Sequence, residues 1–326
     1  MAELKDAGTL VRLAYQGLKK LGVDADKVLL ASKLNIDELY DSTLRTPHWA
    51  QTVFWQAAEE ISGDKLIGLH LGQKMPIFKG VVLEHLFISA ENYGEGLRRI
   101  LNYQRLLSDA ANIELGDDGN NSYVAISFPA TDIYHLIDCC ITVLSAVLED
   151  NSDGALSACR IDIVHDGAAD KSIYEDVLKC PVFFQQAENR IYFPKSALAT
   201  RSLHNHPELL DMHTQYAEAQ MTALKREDLI NDVRQHIASL LETGTVSLEV
   251  IAAKLSLEAG ELVIQLRDAG TSFSQILNDY RHSLSKKLLL SSNESIAEIV
   301  YLTGFSEPST FYRAFKRWED MTPVEY

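Results

Sequence analysis

The sequence has no long hydrophobic run. None of its apolar stretches reaches the roughly 20 residues that a helix needs to cross a bilayer. The opening residues M-A-E-L-K-D lack both the basic start and the apolar stretch of a secretory signal peptide. These absences exclude a membrane-spanning protein and predict a cytoplasmic one.

Cysteine is also scarce, and the cysteines do not form the spaced pairs of a zinc site or a disulfide framework. The four are Cys139, Cys140, Cys159 and Cys180. We expect reduced thiols that pack as small apolar side chains. His204 and His206 lie near Asp211, but no third firm ligand follows, so no metal and no cofactor are predicted.

Catalytic motifs are missing as well. The sequence contains no nucleophile elbow, P-loop, dinucleotide-binding fingerprint or H-E-x-x-H pair. Asp162 and His165 lie close together, but such spacing is common in strands. No catalytic residue is predicted, and the chain is not expected to be an enzyme.

Positive charge is outnumbered by negative charge. The chain carries 30 Lys+Arg against 46 Asp+Glu, for a net charge of −16. Residues 222–326 are acidic too, with 11 Lys+Arg and 15 Asp+Glu. Because Lys and Arg supply the sequence-independent attraction to phosphate, we expect any binding to non-specific DNA to be weak and salt-sensitive.

The most informative stretch is 295–326. Ser295 and Glu298 form a capping box at the start of an apolar-striped helix, and Gly304 then supplies a left-handed turn. A second helix is expected to restart at Ser306, with Glu307 in its first turn. Its buried seam is predicted to be Phe311, Ala314, Phe315 and Trp318. Its opposite, basic side carries Ser309, Arg313, Lys316 and Arg317. This pattern predicts a helix-turn-helix.

At these residues the chain resembles the AraC family of bacterial transcription regulators. The resemblance lies in S-I-A-E-I, G-F-S-E-P-S-T-F-Y-R-A-F-K-R-W and M-T-P-V-E-Y. It implies an all-α domain of two helix-turn-helix units joined by a helix, each unit placing one helix in the DNA major groove. The chain departs from the family pattern where Glu319 and Asp320 follow Trp318, and where it stops at Tyr326.

The first helix-turn-helix is predicted at about 247–268 and the second at about 295–318. Ser247 and Ser295 begin them, so the repeat length is about 48 residues. The family places several basic residues along the second helix of the first unit, whereas here only Arg267 is basic. The other exposed positions are predicted to be Glu258, Gly260, Glu261, Ile264 and Gln265, and the buried ones Ala259, Leu262, Val263 and Leu266. We therefore expect this unit to keep the fold but to contact DNA weakly.

The preceding part of the chain predicts an α+β domain. Strands are expected at 112–115 and 123–128 as a hairpin and at 181–184 and 189–193 as a second pair. Stretches at 68–73 and 180–194 resemble the arabinose-binding-type effector domain of some AraC-family regulators. We expect domains at 1–206 and 207–326.

Two helices and one connection complete this prediction. Residues 201–207 are predicted to link the two domains, and a long helix is expected from 208 to 242, with a break near Lys225. The helix expected at 132–148 is one option for a dimer interface.

An effector pocket is expected to be concave, mostly apolar and anchored by a few polar groups. The candidate ligand-binding residues are Phe87, Tyr103, Arg105, Tyr134 and His135. Arg105 could bind a carboxylate through two hydrogen bonds or be a simple surface residue. The sequence does not select between a fatty acid, an amino acid, a sugar and no ligand.

Two functions remain open at this point. In the first, the chain is an effector-controlled regulator that binds promoter DNA, with Arg313 reading guanine and Lys316 and Arg317 holding phosphate. The alternative for these side chains is surface pairing with Glu307 or Glu319. In the second function, DNA binding has degenerated and the regulator acts through a protein partner. A homodimer is expected, and RNA polymerase is a candidate partner.

Overall fold

The computed structural model describes residues 3–76, 81–129, 133–241, 245–291 and 294–326, except for the side chain of Ala168. These residues form two compact units, Glu3–Met221 and Thr222–Tyr326. Each is described by itself below. The predicted domain boundary after residue 206 falls where a long helix begins, and it stays a prediction.

The N-terminal unit is α+β, as predicted. Its helices are α1 (Gly8–Lys20), α2 (Ala25–Ala31), α3 (Ala50–Ser62), α4 (Ile67–Lys74), α5 (Val82–Ile88), α6 (Tyr93–Asn102), α7 (Tyr134–Asp150) and α8 (Lys171–Leu178). Its strands are β1 (Lys5–Ala7), β2 (Arg45–Pro47), β3 (Asn112–Asp117), β4 (Asn121–Ser127), β5 (Arg160–Asp162), β6 (Val182–Phe183) and β7 (Asn189–Pro194). Short 3₁₀ turns cover Asp37–Tyr40, Gln104–Leu106, Ala168–Asp170 and Lys195–Ala199.

The main sheet has the order β3-β4-β7-β5-β6. The predicted β3–β4 hairpin is confirmed, with Asn112 opposite Ser127. The predicted pairing of 181–184 with 189–193 is wrong, because β5 lies between β6 and β7 and pairs with both. Sequence pattern alone does not reveal this insertion, because β5 comes from a distant stretch of the chain.

Helix α7 is the centre of the N-terminal unit. Its residues belong to two apolar cores, one against the main sheet and one against α1 to α4. Helix α4 approaches it through two glycines: a Cβ on Gly68 would lie 2.3 Å from the His135 carbonyl oxygen, and one on Gly72 would lie 2.7 Å from Thr142 Cβ. Only Tyr134, Glu149 and Asp150 of α7 are exposed. The suggestion that this helix forms a dimer interface is therefore wrong.

Helix α9 spans Pro207–Leu240 without interruption, so the predicted break near Lys225 is wrong. The sequence from 208 to 240 has no proline or glycine that would break it. The predicted end at 242 lies outside the described residues. The preceding segment, predicted to be a linker, is tied to the N-terminal unit. The Ser202 hydroxyl donates to the Ile88 carbonyl at 2.5 Å, and the His206 amide donates to the Ser89 carbonyl at 3.1 Å.

The C-terminal unit is all-α and contains the two predicted helix-turn-helix units. The first is α10 (Leu248–Lys254) with α11 (Ala259–Asp268), the connecting helix is α12 (Phe273–Ser291), and the second is α13 (Ile296–Leu302) with α14 (Pro308–Glu319). The capping box is confirmed, since the Ser295 side chain accepts from the Glu298 amide while the Glu298 carboxylate accepts from the Ser295 amide. Helix α14 begins later than predicted: Glu307 is the residue before its first turn, and Pro308 opens it.

Both turns contain a residue with positive φ, at equivalent places in the repeat. Gly304 has φ +68° in the second unit, as predicted, whereas Ser256 has φ +58° in the first. A Cβ on Gly304 would lie 2.9 Å from Leu241 Cδ1. The second turn thus has the residue that tolerates this backbone, and the first holds a side chain in a costly conformation.

Replacing these two residues should change the stability of the two helix-turn-helix units in opposite directions. Gly304→Ala should destabilise the second unit by about 2 kcal/mol, from backbone strain and crowding together, and Ser256→Gly should stabilise the first by about 0.5 kcal/mol. The control is Gly270→Ala, at φ +77° with no atom within 4 Å of the new Cβ, which should cost about 1 kcal/mol. Hydrogen exchange of peptides from each helix-turn-helix unit measures these changes. Equal losses of stability in Gly304→Ala and Gly270→Ala would contradict the crowding of the new Cβ against Leu241.

Candidate nucleic-acid interface and ligand cavity

Helix α14 is strongly amphipathic. Phe311, Ala314 and Phe315 are buried and Trp318 is partly buried, which confirms the predicted seam. Four exposed side chains at helical spacing form what we call the outer face of α14: Ser309, Arg313, Lys316 and Arg317.

The cations of the outer face are not paired with acidic groups. Arg313 Nε donates to the Ser309 carbonyl at 3.2 Å and its Nη2 to Thr310 Oγ1 at 3.4 Å. Within the described part of the chain, no carboxylate forms an ion pair with Arg313, Lys316 or Arg317. The expected alternative, pairing with Glu307 or Glu319, is therefore not what this structure contains. Hydrogen bonds from Thr322 lower the pKa of Glu325, and Lys316 adds to this lowering through its charge. Arg313 and Arg317 can therefore meet an anion directly, whereas Lys316 also attracts Glu325.

Glu319, which departs from the family pattern, is held away from that face. Its Oε1 accepts from Lys286 Nζ at 2.9 Å and lies 2.6 Å from His282 Nε2, both on α12. Hydrogen bonds from Lys286 and then His282 lower the pKa of Glu319. Asp320 ends the helix at φ +58°. The acidic pair thus fastens and terminates α14, and Glu319 does not neutralise the outer face.

Arg281 was missed by sequence reasoning. From α12, its Nε donates to the Thr303 carbonyl at 3.1 Å and its Nη2 to the Gly304 carbonyl at 2.6 Å. The guanidinium also lies 4.6 Å from the centre of the Phe305 ring. Burial lowers the pKa of Arg281. Three contacts therefore connect the α12 helix to the turn that precedes α14. Because Arg281 is more than 20 residues before this turn, its position in the sequence gives no signal of these contacts.

Helix α11 presents a different face. Val263 was predicted to be buried but is 48% exposed, next to Ile264 at 50%. The error arose because Leu262, Leu266 and the partly buried Ala259 are the residues of α11 that face the core. Gln265 donates to Glu261 at 3.1 Å, and Arg267 Nε lies 3.8 Å from Asp268 Oδ1. This face is apolar and acidic, with its one cation beside a carboxylate.

The N-terminal unit contains a cavity of about 180 Å³. Its walls come from α1, α3, α5, α6, α7 and the strands β1 to β4, and most lining side chains are aliphatic or aromatic. Among the predicted ligand-binding residues, Phe87 lines this cavity and is 1% exposed.

The other four predicted ligand-binding residues do not line the cavity. Arg105 Nε donates to Asp109 at 2.9 Å. His135 Nε2 lies 3.0 Å from Glu59, and the Tyr134 hydroxyl donates to the same carboxylate at 3.4 Å. Their role, and that of Tyr103, in ligand binding stays a prediction.

A buried carboxylate that the sequence did not reveal lies at the cavity wall. Asp6 is 2% exposed and accepts from His48 Nδ1 at 2.9 Å, Gln51 Nε2 at 2.9 Å and the Ser108 hydroxyl at 2.6 Å. Burial raises its pKa, but the bonds from His48, Ser108 and Gln51 outweigh burial and the net pKa is lowered. The three side-chain donors thus keep the Asp6 carboxylate ionised.

Among the described residues, no three metal-binding side chains lie together as a group that could hold an ion. Over the same ranges, no helix combines the length and apolar composition needed to span a bilayer.

Comparison with protein families assigns both halves. Residues 22–202 match the arabinose-binding domain of AraC transcription regulators, N-terminal, and residues 251–326 match a helix-turn-helix domain. The chain belongs to the AraC family of transcription regulators. The second match covers the second helix-turn-helix unit of this AraC-family protein and the first unit from residue 251 of α10 onward, and the cavity-lining residues beyond position 22 lie in the first match.

Two curated relatives and one solved structure are similar to this chain over most of its length. The chain is 27% identical over 276 residues to the ornithine utilization regulator of Pseudomonas aeruginosa, covering 83% of this chain and 80% of that one. It is 25% identical over 285 residues to the regulator VqsM of the same organism, covering 83% and 86%. The crystal structure of the P. aeruginosa regulator CdpR aligns over 96% of this chain and 97% of that one, at 20% identity and a TM-score of 0.44.

The lowered pKa of Asp6 predicts a pH-dependent stability. A depressed carboxyl pKa stabilises the fold above the ordinary value of 3.8 and loses this contribution as pH falls through the folded-state pKa. Asp6→Asn should therefore lower stability by about 2 kcal/mol at pH 7, and the gap to wild type should narrow as pH falls below the ordinary carboxyl value of 3.8. Thermal unfolding between pH 7 and 3 measures this gap, with the exposed Asp37→Asn as control. A gap of constant size would show that Asp6 contributes shape rather than charge.

Proposed function

We propose that this AraC-family regulator binds promoter DNA chiefly through the outer face of α14. The single observation that supports this most strongly is that Arg313, Lys316 and Arg317 are exposed, share one helix face and form no ion pair with a carboxylate of the described residues. A helix in the major groove can place an arginine against guanine O6 and N7 while neighbouring cations hold phosphate. Arg313 is assigned to the base and the other two to the backbone.

Helix α11 is assigned a supporting role. Ile264 cannot hydrogen-bond to a base edge, and Glu261 and Asp268 repel phosphate. Arg267 has to leave Asp268 to bind a phosphate, so its net contribution to affinity is small. The first helix-turn-helix unit then holds α12 in place more than it reads sequence.

The effector domain completes the proposal. A small molecule bound in the cavity of the N-terminal unit controls DNA binding, and the active form is a homodimer. Two copies of a single reading helix raise affinity through effective concentration, which compensates for a weak first unit. Sedimentation velocity at micromolar concentration tests the dimer. A monomer that nevertheless binds promoter DNA tightly would contradict this part.

Alanine variants should separate the two helices. Lys316→Ala and Arg317→Ala should weaken binding on all sequences and each reduce the salt slope of log K by about 1. Arg313→Ala should cost about 1–3 kcal/mol and relax selectivity at one base pair. Fluorescence polarisation with the protein's own promoter, between 50 and 200 mM salt, measures all three.

The matched control is Arg267→Ala on α11, for which we expect little change in affinity or salt slope. If Arg267→Ala lowered DNA affinity as much as Arg317→Ala does, the proposed division of roles between α11 and α14 would be contradicted. Absence of saturable binding at low salt, with and without cell-extract small molecules, would favour the second function, a regulator that acts through a protein partner. The apolar and acidic face of α11 is the observation that supports that alternative.

A further inference from the structure

Helix α9 is apolar on two sides. Its inner side packs against the N-terminal unit, where Leu210 and the fully buried Ala217 join an apolar cluster with Leu83 and Leu86 of α5. A second row of apolar residues lies on a different side of the helix, and we call it the outer stripe of α9. Its members are Leu209, Met212, Tyr216 and Ala219. The inner side holds the helix in place, whereas the outer stripe faces solvent.

The spacing of the outer stripe is that of a coiled-coil seam. Its members are three, four and three residues apart, which are the steps between the a and d positions of a heptad. Leu209 is 42% exposed, Met212 55% and Tyr216 57%, and Ala219 is exposed as well. Single exposed apolar side chains are common on soluble proteins, but a contiguous row of them marks an interaction surface. The heptad spacing indicates that the partner of this surface is another helix.

The polar residues beside the outer stripe differ between its two edges. At 3.6 residues per turn, one edge is acidic. This acidic edge consists of Glu208, Asp211, Gln215 and Glu218. The other edge has His213 and Gln220 and carries no acid between residues 208 and 221. The stripe therefore has one negative edge and one edge without negative charge.

This difference between the edges determines how two copies of α9 can pair. In an antiparallel pair the two acidic edges meet, so that Asp211 of one chain approaches Glu218 of the other and like charges repel. In a parallel pair the g positions of one helix lie opposite the e positions of the other. The acidic edge of each chain then meets the edge of the partner that has no acid, and Glu208 lies opposite the partner's His213. The charges therefore favour a parallel pair of identical helices.

We propose that the outer stripe of α9 binds the outer stripe of a second copy of this chain, as a short parallel coiled coil. This inference rests on the proposed function, in which the active form is a homodimer, and it assigns that homodimer an interface. Helix α9 spans Pro207–Leu240, and the C-terminal unit begins at Thr222. The paired segment therefore comes directly before the DNA-binding unit in each chain.

The size of the outer stripe predicts a weak dimer. Its four side chains extend over about 15 Å of helix and cover less than the roughly 800 Å² per partner of a standard interface. The inner side already fixes α9 as a helix, so pairing does not have to order it. We expect a dimer with Kd in the micromolar range, which a promoter with two binding sites strengthens through effective concentration.

Sedimentation velocity of the full chain, from about 1 to about 200 µM, tests the interface. The wild type should pass from monomer to dimer over this range. Met212→Glu and Tyr216→Glu each bury a carboxylate near its own copy and should weaken the dimer on the order of 100-fold. The matched control is Leu30→Glu on α2, at a position that is 73% exposed, and it should dimerise like the wild type. A wild type that stays monomeric, dimers that persist in both α9 variants, or an equal loss in the control would overturn the interface.

Cysteine cross-linking tests the parallel orientation. In a parallel pair Met212 lies opposite the partner's Met212, within reach of a disulfide. Met212→Cys should therefore form a covalent dimer under mild oxidation, in a Cys159→Ser background that removes the exposed native thiol. Leu30→Cys in the same background should stay monomeric. A chain that dimerises but does not cross-link at position 212 would overturn the parallel arrangement.

Polarisation with promoter DNA, run on the same variants, separates this inference from the proposed function. Loss of the dimer together with a loss of DNA affinity of about tenfold or more would support both. Loss of the dimer with unchanged DNA affinity would leave the α9 interface standing and contradict the role of the homodimer in DNA binding. Tight DNA binding with dimers that persist in Met212→Glu and Tyr216→Glu would do the reverse.

Discussion

The two hydrogen bonds from Arg281 to the Thr303 and Gly304 carbonyls fix the part of the molecule on which DNA contact depends. Carbonyls at the end of a helix have no partner within it, so a cation there completes the helix end as well as joining two helices. Gly304 allows the turn, and Glu319 fastens the far end of α14 to α12 through Lys286 and His282. With both ends held, the orientation of α14 is set by α12 rather than by its own short turn.

The two helix-turn-helix units show how one fold can separate scaffolding from recognition. Their apolar cores are alike in kind, yet the first has Ser256 where the second has Gly304, and its outward face is apolar and acidic. The whole C-terminal unit is acidic, so in the proposed function recognition depends on a local group of three cations and not on a broad positive surface. DNA binding of this kind should depend on specific contacts and on salt more than that of a strongly basic regulator does.

Features set by neighbouring residues could be predicted from the sequence. The capping box at Ser295, the turn at Gly304 and the seam of Phe311 and Phe315 each depend on a few residues of one segment, and the structure confirms them. Features that depend on residues far apart in the chain could not be predicted from the sequence. The insertion of β5, the central position of α7 and the bonds of Arg281 need the complete fold. The cavity shows the same limit: Phe87 was predicted, whereas Asp6 gains its hydrogen bonds only from residues far along the chain.

In the proposed function, one helix per chain, α14, enters the major groove. Hydroxyl-radical footprinting combined with guanine-methylation interference on the protein's own promoter measures this. We expect one interfered major-groove segment for each bound chain, lost in an Arg313→Ala variant. Two interfered segments per chain, about one helical turn or 34 Å apart, would show that α11 also reads DNA and would contradict the single-helix proposal.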